Sequence, residues 1–165
     1  MNKRAFLKVG VAWLGSTYFL NQWFRRSSVM AASQEQFAVN KTEAEWQQSL
    51  SPEEFRVLRK HGTERAGTSP LDKQYSKGTY YCAGCNQALF KSDTKFNSGT
   101  GWPSFYDPLT AAIETSTDRS FFTVRTEVHC SNCGGHLGHV FDDGPAPTGK
   151  RYCMNGVALK FTPEA

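Results

Sequence analysis

Two Cys-X-X-Cys pairs constrain this chain more than any other feature of its sequence. One pair is Cys82 and Cys85, and the other is Cys130 and Cys133. Four thiolates presented in this way are typical of one tetrahedral zinc site. Because such a site has no open position for water, the pattern predicts one structural zinc per chain that takes no part in catalysis. The fifth cysteine, Cys153, is left to react.

Two structural disulfides are the competing interpretation of the same four cysteines, and exported proteins often contain them. A bridge inside a Cys-X-X-Cys pair closes too short a loop to stabilise a fold much, and such bridges are usually redox-active. A general disulfide oxidoreductase would need one of the two pairs to be free of metal. Zinc is therefore the preferred interpretation.

Residues 1–31 are predicted to be an export signal. The apolar stretch 9–24 is followed by small residues up to Ala31 that resemble a leader-peptidase site, and the basic start resembles a twin-arginine export motif. We expect export to the periplasm, with a membrane anchor through 9–24 as the alternative. Residues 32–42 are then a linker, and 43–165 are one domain. The basic residues of the signal are Lys3, Arg4, Lys8, Arg25 and Arg26.

The formal charge of +4 does not indicate a nucleic-acid partner. Residues 1–31 contain five of the positive charges and no acid, so the rest of the chain is close to neutral. A polyanion site needs a basic stripe with interleaved aromatic residues, whereas the later charges are mixed. We predict no nucleic-acid partner, and we expect a monomer because no segment signals an oligomer.

The pattern after residue 42 predicts a mainly β domain that begins with two short helices. Capping boxes start at Thr42 and Ser51, and Gly62 is expected to stop the second helix. From Gly78 onward the apolar period is two, which indicates two antiparallel sheets in a sandwich or barrel. The predicted strands are 79–81, 88–90, 112–115, 120–128, 136–141, 151–155 and 157–161.

Two details of these strands can be tested. In the run 120–128, Phe122 and Val124 are expected on an inward apolar face. The cysteine pairs are expected to sit in knuckle turns, with positive φ values at Gly84, Asn132 and Gly134.

Cys153 lies between Arg151 and Asn155, and an arginine near a thiol favours the thiolate. An imidazolium does the same and can also give a proton. His136 and His139 are weak indicators alone, because on a strand they would point to opposite faces unless the glycine at 138 kinks it. Trp102, in a glycine-rich turn, offers an apolar face to a thioether-sized group.

These runs, in this order, resemble the peptide-methionine (R)-S-oxide reductases. The resemblance covers roughly residues 43–161, and its motifs are long enough to make chance a poor explanation. The matching runs are 62–64, the two cysteine pairs, 95–105, 136–141, 144–145 and 151–155.

The resemblance implies a catalytic domain at 43–165 that reduces methionine (R)-S-oxide in peptides or proteins and repairs them after oxidative stress. The cysteine nucleophile would become a sulfenic acid. The implied site consists of Cys153 as nucleophile, His139 as acid with His136 supporting it, Asn155 and Arg151 as groups that orient oxygen and water, and Trp102 and Phe141 as substrate-binding residues.

Three departures from the family pattern matter. Thr100 stands where many members carry a resolving cysteine, so we expect an external reductant, either a thioredoxin-like protein or a small thiol. Gly156 replaces the usual serine, and the segment 65–70 lacks the usual Pro-Phe. A zinc-stabilised peptide-binding module, with Cys153 as a buried structural thiol, is the alternative function.

Overall fold

A computed structural model describes residues 37–120 and 123–164 of the 165-residue chain. The predicted export segment 1–31, with its apolar stretch 9–24, lies outside these ranges and stays a prediction. Within them, no helix has both the length and the apolar character needed to cross a membrane.

Both predicted helices are confirmed, and each begins with a complete capping box. The hydroxyl of Thr42 or Ser51 accepts a backbone N–H from the third helical residue, whose glutamate side chain bonds back to the cap. The second helix ends with His61 in the left-handed conformation at φ 53°, so Gly62 is not the residue that stops it. Gly62 follows because a Cβ there would lie 2.8 Å from the carbonyl oxygen of Arg56. The helices are α1 (Glu43–Ser49) and α2 (Pro52–Lys60).

Within the described residues, nine strands form two antiparallel sheets, which confirms the predicted fold class. One sheet has the order β2-β1-β9, and the other has the order β3-β4-β8-β7-β6-β5. The strands are β1 (Gly78–Cys82), β2 (Ala88–Lys91), β3 (Lys95–Phe96), β4 (Ser104–Phe105), β5 (Ile113–Asp118), β6 (Arg125–Cys130), β7 (His136–Phe141), β8 (Arg151–Met154) and β9 (Leu159–Pro163).

Some predicted strands are placed differently. Of the described residues in the run 120–128, only those from Arg125 onward form a strand, and the N–H of Thr123 donates to the carbonyl of Ser120 and not to a neighbouring strand. Val124, expected to face inward, is therefore 70% exposed, and Phe122 lies outside the described residues. A 3₁₀ turn precedes β9, and β3 and β4 were not predicted because two-residue strands carry no periodicity.

The core lies between the two sheets. Phe90 of β2 stacks on Phe105 of β4 with 4.3 Å between ring centroids, and Tyr80 of β1 meets Phe105 edge-on at 4.9 Å. Leu58 of α2 belongs to the same buried cluster. Because β4 pairs with β8, this packing also holds the strand that carries Cys153.

Candidate active site and metal centre

The four cysteines of the two pairs converge. The Sγ atoms of Cys82 and Cys133 are 3.7 Å apart, and those of Cys85 and Cys130 are 3.6 Å apart. Four sulfurs at about 2.3 Å from one zinc are separated from each other by roughly 3.8 Å. All five cysteines lie in the described ranges as free thiols. The arrangement therefore fits a tetrahedral metal and not two disulfides.

The turns of the cysteine pairs differ from the prediction in which residues are left-handed. Gly134 has a φ of 65°, as predicted, but Gly84 and Asn132 do not have positive φ values. In the first pair Asn86 takes this conformation at φ 60°, and its N–H donates to the carbonyl of Cys82 at 2.9 Å. Asparagine tolerates the left-handed region, so a glycine is not required there.

Cys153 lies near the middle of the six-stranded sheet, opposite Ser104 of β4 on one side and His139 of β7 on the other. It lines a cavity of about 110 Å³. Five of the seven predicted site residues line this cavity, while His136 and Arg151 are not among its lining. The lining residues are Thr63, Trp102, Arg125, Gly138, His139, Phe141, Cys153 and Asn155.

A β-bulge brings the two histidines of β7 together. The register between β6 and β7 shifts at Leu137, so His136 and His139 do not point to opposite faces as in a regular strand. Their ring centroids are 5.4 Å apart. The glycine between them does not kink the strand. It allows the backbone of Cys153 to approach closely, because a Cβ at Gly138 would collide with the carbonyl oxygen of Cys153.

Asp118 orients His139. Its Oδ2 lies 2.8 Å from Nε2 of His139 and 2.7 Å from the guanidinium of Arg125. Hydrogen bonds from Ser120, and also from His139, lower the pKa of Asp118. An ionised carboxylate only accepts, so Nε2 of His139 donates and Nδ1 is left for the reaction. Burial lowers the pKa of His139 despite this carboxylate, which keeps its imidazole mostly neutral.

Glu127 supports His136 in a similar way. Its Oε1 lies 2.6 Å from Nδ1 of His136 and 2.9 Å from Nδ1 of His61, while Oε2 accepts from Ser116 at 2.8 Å. Burial alone would raise the pKa of Glu127, but the hydrogen bonds from His136, His61 and Ser116 outweigh it and lower the value. The buried Nε2 of His136 has no hydrogen-bond partner among the described residues.

Asn155 is buried, and its side chain joins two backbone segments. Its Oδ1 accepts the N–H of Glu64 at 2.9 Å, and its Nδ2 donates to the carbonyl of Leu137 at 3.1 Å. Asn155 thereby fixes the bulge beside the cavity. Its orientation of a substrate oxygen stays a prediction.

Two contacts fix the side chain of Arg151 in place. Its guanidinium donates to both carboxylate oxygens of Asp143, at 2.8 and 2.9 Å, and stacks 4.3 Å from the ring centroid of Phe141. Asp143 raises the pKa of Arg151 most, and the nearby Cys153 adds to this. The arginine is therefore a fixed positive charge beside the thiol.

Burial, more than any other influence, sets the acidity of Cys153. It raises the pKa of Cys153, while Thr100, Arg151 and Ser104 act in the opposite direction and do not compensate. Arg151 thus lowers the pKa of Cys153 as expected, but burial raises that pKa by more. The Oγ1 of Thr100 lies 3.9 Å from the sulfur and is bonded at 2.8 Å to Ser98, which bonds at 2.7 Å to Ser104. This hydroxyl chain lies beside Cys153 and begins at Thr100, the position where the resemblance implies a resolving cysteine in many members.

Comparison with known proteins now decides the family. Residues 50–163 match the SelR domain. The peptide methionine sulfoxide reductase MsrB of Methanosarcina barkeri is 57% identical over 130 residues, which are 78% of this chain and 92% of that protein. The chain belongs to the MsrB family. It is thus an oxidoreductase that acts on methionine sulfoxide in peptides.

Other MsrB relatives agree. The MsrB of Leptospira interrogans is 54% identical over 129 residues, 78% of this chain and 98% of its own. The chloroplastic B2 enzyme of Arabidopsis thaliana is 52% identical over 129 residues, 77% of this chain and 63% of its own. Among solved structures, the Mis18 'Yippee-like' domain has 17% identity over 55% of this chain and 99% of its own at a TM-score of 0.44, a likeness too loose to bear on function.

Glu64 is an organising residue of this MsrB site that the sequence interpretation missed. Its carboxylate accepts the N–H groups of Gly156 at 2.5 Å and Val157 at 3.0 Å, and its carbonyl accepts from Nε1 of Trp102 at 3.2 Å. Burial raises the pKa of Glu64, and the two N–H groups act against this. In the sequence, Glu64 is marked only by its place in the matching run 62–64. Its side-chain partners, Gly156 and Val157, lie far along the chain, after Cys153.

Two of the three departures from the MsrB pattern, Gly156 and the segment 65–70, meet in space. A Cβ on Gly156 would collide with the hydroxyl of Ser69, which belongs to the divergent segment 65–70. The hydroxyl expected on residue 156 is therefore replaced by one from Ser69. The two changes are therefore sterically matched, because Ser69 occupies the space that a side chain at residue 156 would need.

Proposed function

We propose that this MsrB protein reduces peptide- or protein-bound methionine (R)-S-oxide with Cys153 as the nucleophile, and thereby repairs oxidised proteins. A sulfoxide sulfur is a poor electrophile until its oxygen is protonated, so a thiolate and an acid must reach neighbouring atoms. The observation that carries the proposal is that Cys153, His139 and Trp102 line one small cavity.

The reaction balances without another reactant. The sulfur of Cys153 attacks the sulfoxide sulfur, the substrate loses its S–O bond, and cysteine sulfur gains one. Two electrons pass to the substrate, which leaves as methionine, and Cys153 becomes a sulfenic acid. The thiol proton ends on the transferred oxygen. Because the raised pKa of Cys153 leaves the thiol protonated at neutral pH, an imidazole must take this proton and deliver it, and His139 is the one in the cavity.

Selection of the R epimer follows from the fixed walls of the cavity. The indole N–H of Trp102 donates to the carbonyl of Glu64, so the ring cannot turn freely, and Phe141 is stacked on Arg151. With the substrate methyl on Trp102 and the oxygen toward His139, the S epimer would direct its oxygen away from the acid. Asn155 and Arg151 complete the orientation of the oxygen and a water.

Regeneration of Cys153 is proposed to use an external thiol, from a thioredoxin-like protein or a small molecule. Thr100 is the residue beside the sulfur, and the four other cysteines face one another at the metal centre. The cysteine that attacks the sulfenic acid must then come from outside the chain.

The metal is proposed to be one structural zinc held by Cys82, Cys85, Cys130 and Cys133. Four thiolates suit zinc, and a site closed by protein ligands has no position for a reacting water. When bound, the zinc would link the ends of β1 and β6. Export to the periplasm as a monomer is the accompanying proposal, supported by the composition of residues 1–31.

The test is turnover of blocked methionine sulfoxide, resolved into R and S epimers, with dithiothreitol as reductant. We expect consumption of the R epimer alone, and none in a Cys153→Ser control that keeps its metal and its fold. Turnover of both epimers, or activity in the control, would contradict the proposal. A folded, metal-loaded protein that turns over neither epimer would instead favour the peptide-binding module.

A further inference from the structure

A chain of three ionisable side chains runs from solvent to the buried histidine of the site. The His61 side chain is 66% exposed at the end of α2, and its Nδ1 bonds to Oε1 of Glu127. The same oxygen is bonded by Nδ1 of His136, whose side chain is only 3% exposed. His61 lies outside every motif that the sequence pattern singled out. It is the exposed member of the cluster, so it is the one that can exchange protons with water.

The separations in this cluster are those of hydrogen bonds and not of metal ligands. The two Nδ1–Oε1 distances are 2.6 and 2.9 Å. Two ligands on one tetrahedral zinc, each about 2.0 to 2.1 Å from the metal, are roughly 3.3 Å apart. Because Glu127 is ionised and can only accept, both imidazoles donate their Nδ1 protons to it. The proton that each can gain or lose is therefore on Nε2.

The Nε2 of His136 is the ring nitrogen that is not bonded to Glu127. It is buried and has no hydrogen-bond partner among the described residues, and the ring packs against the catalytic imidazole of His139. The ring of His61 also packs against His136, with 5.4 Å between the ring centroids. An imidazole so placed can accept a proton from the site and pass one to it.

We propose that His61, Glu127 and His136 form a proton store that holds the proton of Cys153 until the sulfoxide oxygen takes it. The inference rests on the proposed cysteine mechanism. The proton leaves the thiol by way of His139, resides in the cluster as one imidazolium, and returns by way of His139 to the oxygen of the sulfenic acid. His61 does not touch the substrate, so it is a positioning residue that acts through Glu127 and His136.

The charges around His61 support this assignment. Its bond to Glu127 raises the pKa of His61, which burial and Arg59 oppose less strongly. The cluster therefore keeps its proton as the pH rises past the ordinary pKa of a histidine. Removal of His61 should move the loss of that proton to lower pH. The other titratable or charged groups of the adjoining cleft are Lys60, Asp118, Arg119, Arg125, His136 and His139.

The experiment compares His61→Asn with the native chain in single turnovers, with methionine formed per enzyme measured across pH. Asparagine can still donate to Glu127 and adopts the left-handed conformation of residue 61, but it does not titrate. We expect a rate about tenfold lower at about pH 9 and within about twofold at about pH 6, since general acids contribute large factors. The matched control is Lys60→Gln, which should leave the profile unchanged because Lys60 bonds to Glu43, lies over the ring of Phe55, and has no bond to Glu127 among the described residues.

A second variant tests the same point by rescue. His61→Gly leaves a space at an exposed position, and added imidazole should restore most of the lost rate at alkaline pH. An unchanged profile in His61→Asn, or an equal loss at every pH without rescue, would overturn the proton store. Native enzyme that forms no methionine, or Cys153→Ser that still does, would instead overturn the proposed function.

Discussion

The metal centre and the catalytic cavity are built in opposite ways. At the metal centre four identical groups face one another, in turns that directly follow strand ends, and their spacing along the chain already defines the site. In the cavity, different side chains meet from β6, β7, β8 and the loops around them. The first site depends on local sequence, and the second depends on strand register.

The two sites also differ in what surrounds them. The cysteines need only one another and a metal, whereas four groups in or beside the cavity are positioned by carboxylates. Asp118 orients His139, Glu127 orients His136, Asp143 holds Arg151, and Glu64 holds the loop after Asn155. Loss of a metal-ligand cysteine should therefore unfold the metal centre. Loss of a supporting carboxylate should instead lower the activity of the cavity and leave the fold intact.

Removal of a metal ligand should have the largest effect. In Cys130→Ser one thiolate is lost from a buried set of four, and metal binding of this kind is coupled to about 10 kcal/mol or more of folding free energy. We expect no bound zinc and no cooperative thermal transition. Cys153→Ser is the control and should keep both. A Cys130→Ser variant with native melting would show that the two cysteine pairs are not needed for the fold.

Glu64→Gln should impair the cavity and leave the metal centre intact. The glutamine amide would direct a donor at one of two backbone N–H groups, which leaves a buried donor unpaired at a cost of about 1 to 3 kcal/mol. We expect kcat/KM to fall by about 100-fold because Asn155 and Trp102 shift together. The exposed Glu53→Gln is the matched control. Loss of zinc in Glu64→Gln would mean that the two sites are not independent.

The sequence predicted what local pattern can carry. The capping boxes, the two-sheet fold and the meeting of the cysteine pairs were all predictable, because each depends on short spacings or period. The bulge at Leu137 was not, since nothing in a single strand shows how its neighbour will pair. The prediction that Val124 faces inward was wrong, because the alternation of apolar and polar residues in the sequence begins before Arg125, where β6 starts.

The supporting carboxylates were missed for a related reason. Glu127 and Asp118 look like ordinary charges on exposed strands, and their roles appear only when β5, β6 and β7 are adjacent. In the sequence, His61 is simply the residue that follows a predicted helix, and nothing nearby indicates a role for it. Such residues act across the chain, so their chemistry is set by tertiary contacts and not by neighbours in sequence.

Exchange between Ser69 and Gly156 should produce a moderate and reversible effect. In Gly156→Ser the new side chain collides with Ser69, and overpacking of this kind costs about 1 to 3 kcal/mol. We expect kcat/KM to fall by about tenfold, because Asn155 precedes the crowded residue. The double variant Ser69→Gly with Gly156→Ser should recover most of this, as coupled neighbours do. Simple additivity of the two changes would contradict the steric match.

The smallest effect should come from the Thr100 hydroxyl beside Cys153. Because burial raises the pKa of Cys153, its alkylation by iodoacetamide should increase with pH beyond the range of about 8.5 that is usual for free cysteine. Thr100→Val keeps the shape but removes a group that lowers this pKa, so alkylation at neutral pH should slow by about threefold. Thr148→Val, which removes an exposed hydroxyl bonded to Tyr106, should not change the rate. With the four other thiols held on metal, the measurement reports Cys153 alone. An unaltered rate in Thr100→Val would mean that this hydroxyl contributes nothing to thiolate formation, and that Arg151 and Ser104 alone oppose the effect of burial.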